Sequence, residues 1–401
     1  MRGSPVLALS LVIVAAAGAC GGRTPLYGGG AGETGSSSGR PGGSSSGVTG
    51  SSGSSSSSGS SGSSSGVFEA GAPDTSVAEA SLPDEGAPET GPPSPPACPP
   101  PPPASTGAGG GAPETFANVE SPAGLAIDAT SLYVASFNPG PISVVPLSGG
   151  PVVALDAIGQ YRVAMNDTDI FTMTGGGTGG VVVACAKTGC GGAYTTVASA
   201  VGQFVDIAAT RHFLYTATVQ NGPGFAVSLD TGDSVPFAGF APMFARGDVV
   251  VFGYGPYASS WGVGTVSNGS VVTLASGNDG QLASITADCT NAYYSLMDGT
   301  VAQVALSGGT PTTIGTVTPV SAWSAAPSIT VDATRVYLAT ARYLPSNQSA
   351  LQGGSIVAIP IGGGPATTLA TLGDTPGGIA VDAHYVYWSD TTANAVMRLA
   401  K

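Results

Sequence analysis

The sequence is short of the residues that most catalysis and nearly all nucleic-acid binding require. It holds two histidines, His212 and His384, in 401 residues. Both fall in turns between the first and second strands of a repeat, away from the long loops, and with no other His in the chain this excludes His-based nucleophile activation and a multi-histidine metal centre. After Ala112 the only glutamates are Glu114 and Glu120, which leaves no cluster of glutamates for paired acid–base work. Charge is scarce throughout, at 9% of residues. From Ala112 onward 17 acids face 8 bases, a net charge of −9 with no basic stripe. Phosphate neutralisation needs clustered Lys and Arg, so nucleic acid is excluded as a partner, and so is direct docking to anionic lipid. No glycine-rich loop follows a strand and opens a helix, because there is no convincing helix. Nothing points to a bound metal or cofactor.

Small residues and proline are plentiful instead, and they are concentrated early. Residues 1–19 carry one base, Arg2, then an apolar run from Val6 to Ala17. The run is too short to span a bilayer and reads as an export signal. Ala17-Gly18-Ala19-Cys20 is similar to a bacterial lipobox, with Ala17 where Leu is favoured, and it also fits ordinary signal-peptide cleavage. The expectation is lipidation at Cys20, giving an outer-membrane or cell-surface lipoprotein. The alternative is a periplasmic or secreted soluble form. Residues 20–111 show no hydrophobic period: a Gly/Ser coil from Gly35 to Gly66, an acidic stretch from Glu69 to Glu89 and a proline-rich rod from Pro92 to Pro103. Such a segment cannot bury enough surface to fold and reads as a disordered tether.

Residues 112–401 repeat one phrase. GLAIDATSLYVAS begins at Gly124, SITVDATRVYLAT at Ser328 and GIAVDAHYVYWSD at Gly378, with degenerate copies around Tyr161–Phe171, Phe204–Tyr215, Met243–Phe252 and Leu282–Tyr294. Each is two short strands joined by a tight turn, Asp-led at Asp128, Asp288, Asp332 and Asp382. Seven copies with a period of about 42 residues predict a seven-bladed β-propeller of four-stranded blades. Six blades is the alternative if the copy around Met243 is not a blade. The last copy supplies only three strands before Lys401, whereas Glu114–Val119 is a spare strand ahead of the first. Donating that strand to the last blade would close the ring and remove its open edges.

On these residues the repeats resemble YWTD and NHL-type propellers, as found in predicted bacterial lipoproteins. Tyr387-Trp388-Ser389-Asp390 matches the YWTD tetrad with Ser for Thr. The resemblance implies the fold; relatives of this kind include receptors, scaffolds, lyases and lactonases, so function has to be argued from a site.

Blade geometry sorts the loops by face. First-to-second and third-to-fourth turns share a short-loop face, and the remaining connections share a face where Gly253–Gly262, Ala341–Gly354 and Thr316–Pro327 are long. Those loops bring Tyr254, Tyr257, Trp261, Trp323, Arg342 and Tyr343, residue types favoured at binding hot spots. They are the candidate binding set, against a reading in which the rings fold back to cover their own loops. Gln160, Gln203 and Gln281 stand at the entrance of three inner strands and could ring the channel mouth, or satisfy backbone groups between blades. The recurrent Asp128, Asp288, Asp332 and Asp382 sit just before tight turns, in different blades, where Asx-turn capping accounts for them.

Five cysteines complete the inventory. Besides Cys20, Cys185 and Cys190 flank a hairpin turn and are close enough to bridge. Cys98 and Cys289 are left over; a bridge between them would pin the tether to the short-loop face. The sequence therefore reads as a monomeric, lipid-anchored extracytoplasmic module that binds a protein, neutral glycan or small molecule through its long-loop face, touching the membrane only through its lipid. The competing class is a propeller enzyme of lyase or lactonase type with a site at the channel mouth.

Overall fold

Short runs of β-branched and aromatic residues, each closed by a Gly, Asn or Asp turn, form antiparallel strands along the chain. A computed structural model describes residues 98–104 and 111–401, apart from 139, 175–178, 191–192, 202–203, 219–223, 255–259, 268, 279, 318–327, 345–346 and 374–375. The proposed signal segment, Cys20 and the Gly/Ser coil lie outside the described residues. Among the described residues there is no helix.

The strands form seven four-stranded blades. Each inner strand lies beside those of the two neighbouring blades, and the seventh returns to the first, which closes the ring. The copy around Met243 is a complete blade, with Phe240–Arg246, Val249–Tyr254, Trp261–Ser267 and Ser270–Gly277 in order, so the count is seven. Blades 1 and 2 run together in one seven-stranded sheet because Val153–Met165 serves first as the outer strand of blade 1 and then as the inner strand of blade 2.

Closure uses the spare strand. Glu114–Asn118 pairs antiparallel with Ala395–Ala400 and becomes the outer strand of blade 7. Arg398 fixes it there, with Nε 2.6 Å from Glu114 Oε1 and the guanidinium 4.7 Å from the Phe116 ring centroid.

Burial follows from this stacking. Most buried apolar residues among those described fall into seven clusters, one at each blade–blade interface. Side chains alternate between the two faces of a strand. Tyr387 therefore enters the blade 7/blade 1 cluster while its neighbour Trp388 enters that of blades 6 and 7. No blade buries its apolar residues alone, so the ring is the stable unit.

The Asp-led turns have one shared construction. In blade 5, Asp288 Oδ1 accepts from Thr290 N and Asn291 N at 2.7 Å each, and Oδ2 accepts from the Tyr293 hydroxyl at 2.7 Å. Asp128 with Tyr133, Asp332 with Tyr337 and Asp382 with Tyr387 repeat it. Blade 2 varies both ends at once: Asn166 still accepts from Thr168 N and Asp169 N, and Phe171 stands where the tyrosine would be. A neutral amide without a tyrosine partner replaces a carboxylate with one.

Two lysines complete two of these turns across blade boundaries. Lys187 Nζ of blade 2 is 3.1 Å from Asp128 Oδ2, and Lys401 Nζ of blade 7 is 2.7 Å from Asp332 Oδ2. The second pair is sealed, with side chains only 2% and 1% exposed. Burial alone would raise both carboxyls, but the lysines and turn donors outweigh it, holding Asp128 at about 2 and Asp332 below its ordinary value.

Two disulfides are present, Cys185–Cys190 across the hairpin turn of blade 2 and Cys98–Cys289 between the proline-rich segment and the first turn of blade 5. One expected loop is not a loop. Ala341–Gly354 belongs to a long hairpin in which Arg335–Leu344 pairs with Asn347–Pro360 out to Leu344 opposite Asn347. Backbone groups that would need partners in a loop are satisfied in the ladder.

Candidate functional site

At their long-loop ends, six of the seven inner strands break register with a β-bulge. Bulges re-aim side chains, and these lie where the inner strands enter the channel. Five hold compact residues: Ala123-Gly124, Val205, Ala241-Pro242, Ala283 and Gly377-Gly378. Blade 2 places Tyr161-Arg162 there instead. Among the six described bulges, blade 2 alone carries bulky residues at this point.

That point is built under constraint. Tyr161 has φ of 64°, a left-handed backbone that a bulky residue rarely adopts without a structural reason. Space for its carbonyl comes from the neighbouring blade, where a Cβ on Gly124 would lie 2.5 Å from Tyr161 O. The Tyr161 ring packs edge-on against Phe137, with centroids 4.9 Å apart and planes at 81°. Phe137 follows the second strand of blade 1, anchored by its N–H to Ser121 O at 2.6 Å. Both rings are open to solvent, Phe137 at 51% and Tyr161 at 36%.

Beside them Arg162 reaches toward blade 3, its Nε 3.4 Å from Asp206 Oδ1. Asp206 is buried and bridges three blades, accepting also from Ile207 N at 3.0 Å and from Met243 N of blade 4 at 2.9 Å. Burial pushes its carboxyl above the ordinary value, against Arg162 and the two amides that favour the anion. Arg162 is 45% exposed. The site therefore offers two aromatic surfaces and a guanidinium whose position is set by a buried acid. Such a site suits stacking and hydrogen bonding; among the described residues no three His, Cys, Asp or Glu side chains are grouped to hold a metal.

The aromatic set expected from the long loops is distributed differently. Tyr254 is half-buried, its ring lying over Gly262, and belongs to the interface of blades 3 and 4. Trp261 is buried over Gly277 in the interface of blades 4 and 5, 5.2 Å from the Tyr294 ring. The two lie on opposite sides of blade 4, so they do not share a surface. Each covers the bare backbone of a cross-strand glycine. Arg342 and Tyr343 lie in the hairpin of blade 6. Gln160 pairs with Met173 immediately before the Tyr161-Arg162 bulge, and the Gln281 carbonyl accepts from Met297 N at 2.8 Å. Tyr257, Trp323 and Gln203 lie outside the described residues. Phe137, Tyr161, Arg162 and Asp206 were not singled out from sequence. The available signal was bulk: Tyr-Arg stands where two sibling repeats have Ala-Gly or Gly-Gly and three others have Val, Ala-Pro or Ala.

No protein-family model and no curated protein sequence matches the chain. Solved structures are similar to it. The β-propeller domain of Cps50 (Swd1) from Myceliophteria thermophila superposes with a TM-score of 0.51 at 8% identity, covering 72% of this chain and 100% of that one. The N-terminal domain of Nup159 gives 0.47 at 10% identity, covering 72% and 93%. BamB from Moraxella catarrhalis gives 0.45 at 13% identity, covering 72% and 97%. At these identities the likeness is one of fold.

Proposed function

We propose that this propeller is an extracytoplasmic binding module, anchored through lipid at Cys20, held off the membrane by its tether, and recognising its ligand at the long-loop mouth of the channel. The observation that carries this reading is the blade 2 bulge, where Tyr161 and Arg162 replace the small residues of sibling blades. A strained backbone presenting solvent-open rings is the arrangement expected of a ligand clamp. A β-propeller is also a fold consistent with binding or scaffolding. Two solvent-open rings set edge to face beside a guanidinium suit the face of a neutral glycan or an aromatic peptide side chain, and a surface low in charge supports neutral ligands over polyanions.

The test is titration of the full chain against a panel of neutral oligosaccharides and aromatic peptides. Any ligand of the wild type loses affinity by at least about ten-fold in Phe137→Ala/Tyr161→Ala, the loss expected for two stacking contacts. Unchanged affinity in that variant, with the fold intact by circular dichroism, would overturn the assignment of the mouth. For the anchor, Cys20→Ser abolishes labelling by a fatty-acid analogue in a lipoprotein-processing host; retained labelling contradicts lipidation at Cys20.

One observation favours a second reading. Asp206 is a buried carboxyl with a raised proton affinity, a property shared by catalytic acids. Its two oxygens are already engaged by Arg162, Ile207 N and Met243 N, which supports a positioning role for Asp206 over contact with substrate. Turnover of a lactone or uronide by the wild type, abolished in Asp206→Asn, would instead support the enzyme.

A further inference from the structure

The proline-rich segment Cys98–Ala104 lies against the short-loop face of the propeller. Pro99–Pro103 have no N–H, so this stretch offers backbone acceptors only. The face answers with donors only: Arg246 Nη1 to Pro100 O at 3.5 Å, Ala333 N to Pro102 O at 2.8 Å and Lys401 Nζ to Pro103 O at 3.1 Å. The donors come from three blades. Arg246 ends the inner strand of blade 4, Ala333 sits in the first turn of blade 6, and Lys401 follows the third strand of blade 7. Each is also held from within the propeller: Arg246 by its Nε bond to Ala287 O at 3.1 Å, Lys401 by Asp332, and Ala333 by the Asp332-capped turn. Beyond Cys98 the track continues as a cavity of about 400 Å³ over the first turns of blades 2 to 4, lined by Pro99, Met165, Asp167, Arg211 and Gly247.

We propose that the short-loop face is a binding groove for an extended proline-rich segment, filled here by the chain's own Cys98–Ala104 and recognised through its carbonyls rather than held only by the Cys98–Cys289 bond. Acceptors spaced along a segment without donors, met by fixed donors spaced around a ring, constitute recognition of backbone shape. A proline-rich segment suits such a groove because little conformational freedom is lost on docking. The consequence for the whole protein is orientation. Cys98–Ala104 joins the propeller on the short-loop face, opposite the long-loop mouth.

The experiment uses the full chain with Cys98→Ser/Cys289→Ser. Hydrogen exchange at the Ala333 amide stays within about ten-fold of the wild-type rate, because the segment remains seated without its covalent link. In the same background with Pro99 to Pro103 all changed to Gly, the Ala333 amide exchanges freely. The emptied groove then binds a labelled Ser-Pro-Pro-Pro-Pro-Pro-Ala peptide at up to millimolar concentration, the range of the effective concentration that a short linker supplies in cis. Adding Ala333→Pro, which deletes one donor at a turn position that suits proline, weakens the peptide about five-fold. A freely exchanging Ala333 amide in the Cys→Ser chain would overturn the proposal, since the disulfide alone would then hold the segment. Absence of saturable peptide binding to the folded, emptied groove would overturn it equally.

Discussion

Changing Lys401 to Met removes one partner of the sealed ion pair between blades 6 and 7. The ammonium sits 2.7 Å from Asp332 Oδ2, and both side chains are at most 2% exposed. Removing one member of a buried pair costs about 3–5 kcal/mol, because the other is left as an uncompensated buried charge. Asp332 keeps the Tyr337 hydroxyl at 2.8 Å and the Thr334 and Arg335 amides, so the loss falls near the lower end, about 3 kcal/mol. An entropy of unfolding of about 2.1 cal/mol/K per residue over roughly 290 residues converts this into a drop of about 5 °C in melting temperature. The effect depends on pH. Asp332 releases its proton more readily folded than unfolded, so its contribution is complete above the unfolded carboxyl range and is lost as pH falls through its lowered folded value. The gap between wild type and Lys401→Met is therefore widest near neutrality and narrows below about pH 4, near the ordinary carboxyl value. Lys187→Met breaks the more exposed pair with Asp128 and costs about 1 kcal/mol or less. Calorimetric melts of the three proteins from pH 3 to pH 7 make the comparison. A Lys401→Met melt within 1 °C of wild type at neutral pH would refute the reasoning at about one-fifth of the predicted shift.

Three other outcomes follow from the same geometry. Tyr293→Phe strips a donor from Asp288 Oδ2 and destabilises by about 1–3 kcal/mol, whereas adding Asp288→Asn recovers part of the loss, as the Asn166–Phe171 pair of blade 2 implies; an additive double-mutant cycle would contradict this. Asp206 holds its proton more tightly folded than unfolded, so its contribution to stability falls as pH rises above the unfolded carboxyl range; Asp206→Asn flattens that slope, and an unchanged denaturant-derived stability profile would argue against it. Ala117→Pro, placed opposite Val396 in the closing strand, detaches the outer strand of blade 7 and lowers the urea midpoint; an unaltered midpoint would mean that the strand contributes nothing to closure.

The ring was legible because its unit repeats. Asp at the turn, a small residue after it and an aromatic five positions on recur at Asp128, Asp288, Asp332 and Asp382, and the missing strand of the last copy points to Glu114–Asn118. Partner-dependent features were not legible. Whether Trp261 turns outward depends on Gly277 lying opposite it, a register that the loop between them does not reveal. The bulge that presents Tyr161 and Arg162 is defined against Thr172 and Met173, so the sequence draws the eye to Gln160 and the structure to its neighbours. The buried pair left a trace that could have been read. Leu147, Leu229, Leu306 and Ile361 occupy the position whose N–H bonds to the turn of the same blade; Lys187 and Lys401 replace them beside Asp128 and Asp332, while Leu147 and Ile361 stay apolar beside blades that carry Asp382 and Asp288, so the lysines themselves are the trace.

The most direct measurement is the affinity of a panel-selected ligand for wild type, Phe137→Ala/Tyr161→Ala and Tyr194→Ala. Tyr194 is 47% exposed on the stretch between the third and outer strands of blade 2, away from the mouth. Recognition at the mouth predicts at least about ten-fold weaker binding in the double variant and wild-type binding in Tyr194→Ala. Equal affinities for all three proteins would contradict it.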